Sequence, residues 1–276
     1  MRYLSYVENL GGEKLIFDKE RATARCQKLG NYSSLKALQI LETLSHSRSC
    51  LGITELSTAT NLSASTIHRI LQELVETGYV AKNEERKYRL GFDAMALGMR
   101  MQASDFMVEV AEKEMRRLND LSTETIHLIA LNQYQGIYIA KLEAKNQIGL
   151  RSRVGWNLPL HCTGGGKAVL ANQSEEWLRA YLKNEPRKRF TERTFVEEAA
   201  LLEELARIRA QGYALDNREH HADVVCVAAP IFSAEHKALC AIGISAPDYR
   251  FPLDKAISLA DEVMASAAAV SRRLQQ

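Results

Sequence analysis

The sequence predicts an α+β protein in two parts, a small helical module closed by a β-hairpin and a larger domain of helices around an antiparallel sheet. Three observations predict it. Between Ser33 and Gly78 apolar residues recur at helical spacing in three short runs. Two strand-like triplets follow at once, at 79–81 and 88–90, joined by the polar segment 82–87. Beyond about residue 121 the period changes, and alternating strands mix with helices to the end of the chain.

Taken in order, residues 1–32 mix charges (Lys14, Lys19, Arg21, Arg25, Lys28) with Gly11-Gly12 and weak periodicity. They read as a loosely ordered arm, either a solvated tail or an extra phosphate contact. A winged helix-turn-helix then spans 33–91. Leu35, Leu38, Ile40, Leu41 and Leu44 mark a first helix behind a serine cap, and 52–57 opens a second with Thr54 as a candidate cap. Asn61-Leu62-Ser63 is a turn, and Ser63 or Ser65 caps a third helix ending at Thr77-Gly78. The hairpin is the wing. A linker helix occupies 92–104, and the second domain, 105–276, begins with a long helix to about residue 121. Strands are expected at 126–131, 136–142, 148–153, 224–231 and 239–245, with a turn at 155–159. Helices are expected near 166–171, 174–183, 197–211 and 254–274.

Bulk properties fit such a chain. Its 276 residues suffice for two ordinary domains, and 46% hydrophobic with 25% charged residues is a globular composition. No apolar run approaches the roughly 20 residues that span a bilayer, and the first residues lack a signal peptide's basic and apolar regions. Five scattered cysteines without a C-x-x-C pair suit a reducing cytoplasm. Up to about residue 102 there are 14 Lys and Arg against 11 Asp and Glu, and after it 22 against 23, so the parts carry +3 and −1. That slope is compatible with nucleic acid at the N-terminal end without identifying it.

The third helix is the most telling segment. Ile67, Ile70, Leu71 and Leu74 fall at i, i+3, i+4 and i+7 as one inward stripe. The opposite face shows Ser65, Thr66, His68, Arg69 and Gln72, with Ser63 at its start. Hydroxyls and free N–H groups at a helix N-terminus suit phosphate, while Arg69 and Gln72 can reach base edges. Arg86, Lys87 and Arg89 in the wing add charge for the neighbouring backbone. A three-helix module with a polar outer face is the plainer alternative. The basic hairpin behind it favours double-stranded DNA as the partner.

Ser63-Ala64-Ser65-Thr66-Ile67-His68-Arg69-Ile70-Leu71, followed by Leu74, Gly78-Tyr79-Val80 and Lys87-Tyr88-Arg89-Leu90-Gly91, resembles the IclR-type bacterial transcription regulators, near those of sugar-acid catabolism. The resemblance runs from about Ser33 to the C-terminus. Its other blocks are Leu158-Pro159-Leu160-His161-Cys162-Thr163-Gly164-Gly165-Gly166-Lys167-Ala168 and Gly212-Tyr213-Ala214-Leu215-Asp216-Asn217-Arg218-Glu219, continuing to 225–232. It implies a GAF-like effector-binding domain for a small organic acid, with pocket residues His161, Thr163, Gly164, Gly165, Asp216, Cys226 and Ser245. It further implies a cytoplasmic, repressor-type regulator that binds an operator as a homodimer or dimer of dimers, with the apolar helices near 92–121 as the interface. Two departures stand out. Ala64 occupies a position where related regulators commonly carry a basic residue. Gly243 stands where many carry serine, and Gly164-Gly165 is smaller than the usual Ala-containing pair; a roomier pocket for a sugar acid or aromatic acid is the expectation.

The residues support part of this directly. Three glycines before a helix leave N–H groups at its positive end for a carboxylate, or else permit close helix–strand packing. Along 239–245 Cys240, Ile242 and Ile244 form a core face, while the small Ala241, Gly243 and Ser245 can wall a cavity. Cys226 and Cys240 suit small core positions as well as a pocket, and Asp216 suits a ligand hydroxyl, a turn or a cap.

Other classes fare worse. A phosphate loop would need Gly at 161 and Ser or Thr at 168, where the chain has His161 and Ala168. No nucleophile framework surrounds His161-Cys162, so no enzyme, catalytic residue or cofactor is expected. A metal-responsive regulator using His220, His221, Asp223, Cys226 and His236 is the alternative, although the spacing is not a recognised one. An architectural DNA-binding protein would not need so long a second domain.

Overall fold

The structure, a computed structural model, describes residues 32–47, 49–103, 106–146 and 149–275. The expected arm lies outside them apart from Tyr32. The chain divides into two compact units, residues 1–104 and 105–276, each with its own core.

In the first unit α1 (Ser33–His46), α2 (Ile53–Thr60) and α3 (Ala64–Glu76) enclose Ile40, Leu44, Leu56, Ile67, Ile70 and Leu71. Three local expectations are corrected. Tyr32, not a serine, stands before α1, and it makes no side-chain cap. Leu38 is 60% exposed; Gln39 and Thr43 face inward in its place. Their polar ends bond to backbone, Gln39 Nε2 donating to the Thr60 carbonyl at 2.9 Å and Thr43 Oγ1 to that of Gln39 at 2.8 Å. Such pairing removes most of the cost of burying an amide or hydroxyl. Thr54 is not a cap either, because Glu55 reaches back to accept the Gly52 N–H at 2.7 Å and starts α2 there. Of the two candidate serines, Ser63 caps α3, its Oγ accepting the Thr66 N–H at 3.3 Å.

The wing is β1 (Val80–Lys82) paired antiparallel with β2 (Tyr88–Leu90). Leu51 exchanges two 2.8 Å backbone hydrogen bonds with Tyr88 and anchors the wing to the helices. A linker helix, α4 (Phe92–Ala103), follows.

The second unit opens with α5 (Phe106–Ser122) and is built on one six-stranded antiparallel sheet. Its strands are β3 (Thr125–Asn132), β4 (Gln135–Leu142), β5 (Asn157–Leu158), β6 (Ala214–Asn217), β7 (Val224–Phe232) and β8 (Ala238–Pro247), in the order β5-β4-β3-β8-β7-β6. The period-2 rule gives the sheet two apolar faces. Ile126, Leu128, Val225, Val227, Cys240, Ile242 and Ile244 pack on α5, α9 (Leu253–Ser258) and α10 (Ala260–Leu274). Cys226, Ala228, Ala241 and Ala214 pack on α6 (Gly164–Leu170), α7 (Glu175–Asn184) and α8 (Glu198–Gln211).

The sequence pattern errs at three places in this unit. Residues 149–153 are not a strand, because Lys141 Nζ donates to the carbonyls of Leu150 and Ser152, both at 2.8 Å, and holds the segment as a loop. The neighbour of β4 is instead β5, inside the expected turn. The expected helix 254–274 breaks at Leu259 into α9 and α10. Finally β6, only four residues long, is an edge strand that no alternation announces.

Candidate functional site

On the first unit, α3 presents Ser63, Ser65, His68, Arg69 and Gln72 to solvent, with Thr66 half-buried beside them. Ile67, Ile70 and Leu71 on the other side are buried. The hydroxyls are preorganised: Ser63 Oγ lies 3.2 Å from Ser65 Oγ and 2.9 Å from Thr66 Oγ1. Arg69 is tied to Glu73 at 3.0 Å and to Ser33 Oγ at 3.4 Å. An exposed i,i+4 pair is worth only about 0.3–0.5 kcal/mol, so Arg69 is released at little cost. In the wing Arg86 holds the left-handed turn (φ 58°), Lys87 lies 3.6 Å from Glu85, and Arg86, Lys87 and Arg89 are all exposed. Ala64, the departure from the family pattern, is exposed at the start of α3.

On the second unit the effector candidates meet beneath α6. Register places Asp216 opposite Cys226 and Cys226 opposite Ser245, a polar row across β6, β7 and β8. The N-terminus of α6 closes on this row, since a Cβ added at Gly164 would stand 2.8 Å from Cys226 Sγ and 3.5 Å from Asp216 N. A Cβ at Gly165 would collide with the Ile129 side chain. These glycines therefore seat the helix on the sheet, and the roomier pocket expected from them is corrected. Gly243 does not open space either, because a Cβ there would lie 2.7 Å from Ala228 Cβ on β7. First-turn N–H groups of α6 are also engaged: that of Gly166 reaches Thr163 Oγ1 at 3.2 Å, and that of Gly165 addresses the Cys226 sulfur.

His161 and Thr163 are both engaged by backbone carbonyls, only Thr163 within its own loop. Thr163 Oγ1 donates to the Pro159 carbonyl at 2.7 Å while capping α6, and His161 Nε2 lies 2.9 Å from the Lys188 carbonyl. Asp216 is buried and serves as a turn cap, its Oδ1 accepting the Glu219 N–H at 2.7 Å. Burial, reinforced by Glu219, pushes its carboxyl up to about 8. Burial also pushes the Cys226 thiol up to about 12. Both shifts favour the uncharged form.

Sequence reasoning missed the polar residues on β3. Thr125, His127 and Ile129 share the α6 face, and Thr125 pairs with Ser245 while His127 pairs with Gly243. His127 Nδ1 lies 3.2 Å from Ser245 Oγ and Nε2 lies 2.7 Å from Ser152 Oγ; its ring packs 4.6 Å from that of Tyr138. Burial, helped by Lys141, lowers its imidazole to about 3, so it is neutral. Thr125 is fully buried, and among the described residues its Oγ1 has no hydrogen-bond partner. A hydroxyl left so costs about 1–3 kcal/mol. The available signal was alternation itself: Thr125 and His127 break an otherwise apolar buried strand at every second position.

Also missed was Lys167, fully buried in the apolar α6. Its Nζ donates to Glu219 Oε1 at 2.6 Å and Glu204 Oε1 at 3.2 Å, and lies 4.8 Å from the Phe195 ring centroid. Arg207 completes the network on Glu204 at 2.8 Å. The metal alternative is not supported: among the described residues no group of three or more His, Cys, Asp or Glu is placed to hold a metal ion. Among them, too, no helix is long and apolar enough to cross a membrane.

Two family models cover the chain, the IclR helix-turn-helix domain over residues 33–84 and the bacterial transcriptional regulator IclR C-terminal domain over 99–272. The chain belongs to the IclR family. Among its relatives is the HTH-type transcriptional regulator KdgR of Escherichia coli, 37% identical over 220 residues, 79% of this chain and 83% of that protein. The transcriptional repressor IclR of the same species is 30% identical over 257 residues, covering 92% and 94%. The crystal structure of Thermotoga maritima IclR superposes with a TM-score of 0.70 at 29% identity, covering 87% of this chain and 98% of that one. The chain is thus a DNA-binding transcriptional regulator with an effector-binding C-terminal domain, not an enzyme.

Proposed function

We propose that this IclR-family regulator acts in the cytoplasm as a repressor, reading a near-palindromic operator as a dimer or dimer of dimers, under the control of a small organic acid. Ser63, Ser65, Thr66, His68, Arg69 and Gln72 take the major groove and its flanking phosphates, and Arg86, Lys87 and Arg89 the adjoining backbone. Exposed Phe92, Met95 and Met99 lie at i, i+3 and i+7 on α4 and supply an apolar stripe for the dimer. The effector lies against Gly164, Gly165, Asp216, Cys226 and Ser245, with His161 and Thr163 holding the wall behind them.

One observation carries the effector reading. The α6 face of the sheet gathers buried polar groups, uncharged near neutral pH, around the unpartnered Thr125 hydroxyl. Hydroxyls, an imidazole N–H and a protonated carboxyl can donate to a bound carboxylate. Occupancy would favour one of two dimer geometries and so change operator affinity. Sugar acids and aromatic acids are the leading classes.

The test joins both ends of the molecule. An acid that raises the melting temperature of the purified protein should also shift its operator affinity. Arg69→Ala should weaken operator binding by about 1–3 kcal/mol while leaving that thermal shift intact. Unchanged operator affinity in Arg69→Ala would remove α3 from the groove. No stabilisation by any acid in a panel of gluconate, 4-hydroxybenzoate, glycerate, pyruvate and benzoate would remove the acid reading.

A further inference from the structure

We propose that His127, with Thr125 and Ser245 beside it, is a specificity-determining residue that selects the effector by a hydroxyl group, so that the site takes a hydroxylated acid in preference to its deoxy counterpart. This rests on the reading that the second unit binds a small organic acid.

His127 sits in the middle of a hydrogen-bond chain. A neutral imidazole has one donor and one acceptor, and here both nitrogens face serine hydroxyls, Ser152 Oγ at 2.7 Å and Ser245 Oγ at 3.2 Å. Whichever tautomer is present, one serine donates to the ring and the other accepts from it. Ser245 also faces the Cys226 sulfur, so its proton has an alternative target when the ring N–H points at its oxygen. The chain Ser152–His127–Ser245 can therefore present either a proton or a lone pair at its sheet end. A carboxylate needs donors only; a hydroxyl is both donor and acceptor, and it is the group that a reversible chain matches.

The second observation is geometric. Thr125 stands directly opposite Ser245, on the same sheet face as His127, and its buried hydroxyl has no partner. An orphan hydroxyl beside the end of such a chain leaves one hydrogen-bonding position unfilled, and a ligand hydroxyl between Thr125 and Ser245 satisfies both sides. The placement also answers for Gly243. His127 is its register partner on β3, so an imidazole supplies polarity beside a position that carries no side chain. Lys141 does not compete for the ligand. Its Nζ is occupied by the Leu150 and Ser152 carbonyls, both at 2.8 Å, and by Glu143, also at 2.8 Å. It fixes the loop that carries Ser152.

Matched pairs of acids test this on the full-length protein: gluconate against hexanoate, 4-hydroxybenzoate against benzoate, and glycerate against propionate, each by isothermal calorimetry. In the wild type at least one hydroxylated acid should bind roughly tenfold or more tighter than its partner, since a site built to hydrogen-bond a hydroxyl rejects the analogue lacking it. His127→Leu and, separately, the nearly isosteric Thr125→Val should narrow that ratio to under about threefold, chiefly by weakening the hydroxylated member. Thr125→Val removes a hydroxyl that has no partner, so it keeps the fold if His127→Leu does not. As a second readout, histidine-selective nitrogen NMR should show the His127 ring resonances move on saturation with the preferred acid while those of exposed His68 stay. A wild-type ratio near one, or a ratio unmoved in Thr125→Val, overturns the inference while leaving the organic-acid reading standing. Absence of binding by all six acids, together with no stabilisation by pyruvate, overturns both.

Discussion

The proposed reading helix and the proposed effector face handle polar side chains in opposite ways. On α3 the candidate groups are mostly in solvent, and among the described residues Arg69 is held only by Glu73 and Ser33. Under α6 they are buried and interlocked, His127 with Ser152 and Ser245, Asp216 with the Glu219 backbone, Lys167 with two glutamates. Exposed charges can be rearranged for tenths of a kcal/mol, whereas buried ones cannot be separated without a cost of several. The first unit is thus free to meet DNA without refolding. The second can convert one bound ligand into a change of structure, because its polar groups have few alternatives.

That contrast is broken most severely at Lys167. Lys167→Met leaves Glu204 and Glu219 facing each other in the interior without their shared cation. The expected loss is about 3–5 kcal/mol by chemical denaturation. Adding Glu219→Gln should recover part of it. A loss below about 1 kcal/mol would show that the interlock is weaker than its geometry.

The first unit should answer to apolar rather than polar deletion. Ile67 is fully buried between α3 and its neighbours. Ile67→Ala should cost about 2–5 kcal/mol, while Gln72→Ala on the opposite side of the same helix should stay within about 0.5. Similar losses from both would mean that the exposed face also holds the fold.

Acidity sharpens the difference further. The Asp216 carboxyl sits at about 8 in the folded chain, against an ordinary value of 3.8. Between these values the unfolded chain is ionised at Asp216 and the folded chain is not, so this contribution to stability declines as pH rises, by at most about 1.4 kcal/mol per unit. His127 and His220, both lowered to about 3 from 6.5, act in the reverse sense between those values: the unfolded chain binds their protons, and stability grows with pH. Denaturation midpoints should therefore rise from about pH 4 to 6.5 and fall beyond it. Asp216→Asn should remove the fall, so that variant and parent converge near pH 4 and diverge toward pH 8. Parallel curves across that range would show Asp216 ionised in the folded protein.

The same contrast explains what was legible in the sequence. The inward stripe Ile67, Ile70, Leu71 and Leu74 declares a helix face by period, and the polar face follows by subtraction, so the α3 candidates are found as soon as the helix is. The effector face depends on register between strands distant in sequence. That Thr125 lies opposite Ser245, or His127 opposite Gly243, is decided by β3–β8 pairing across more than a hundred residues. Lys167 was hidden differently, because a lysine in an apolar helix reads as a surface position until Glu204 and Glu219 are brought to it by other elements. The glycines misled for a related reason. Their small size was visible, but whether it leaves room or admits a neighbour depends on Ile129 and Cys226, which the chain supplies from elsewhere.

The smallest expected effect lies where the two kinds of role meet in one residue. Ser63 caps α3 through the Thr66 N–H and also orders the hydroxyls of Ser65 and Thr66 at the exposed helix start. Ser63→Ala should cost about 1 kcal/mol of stability, the ordinary value of such a cap, with no change in the pH profile set by the second unit. Ser63→Asp restores a capping oxygen but adds a negative charge where phosphate is to be received, so it should recover the stability and lose operator affinity at low salt. If both properties return together in Ser63→Asp, the start of α3 is a cap alone and the phosphate lies elsewhere. If stability returns and DNA binding does not, solvent-exposed residues of the first unit carry function on top of a fold that barely depends on them, which the interlocked residues of the second unit cannot do.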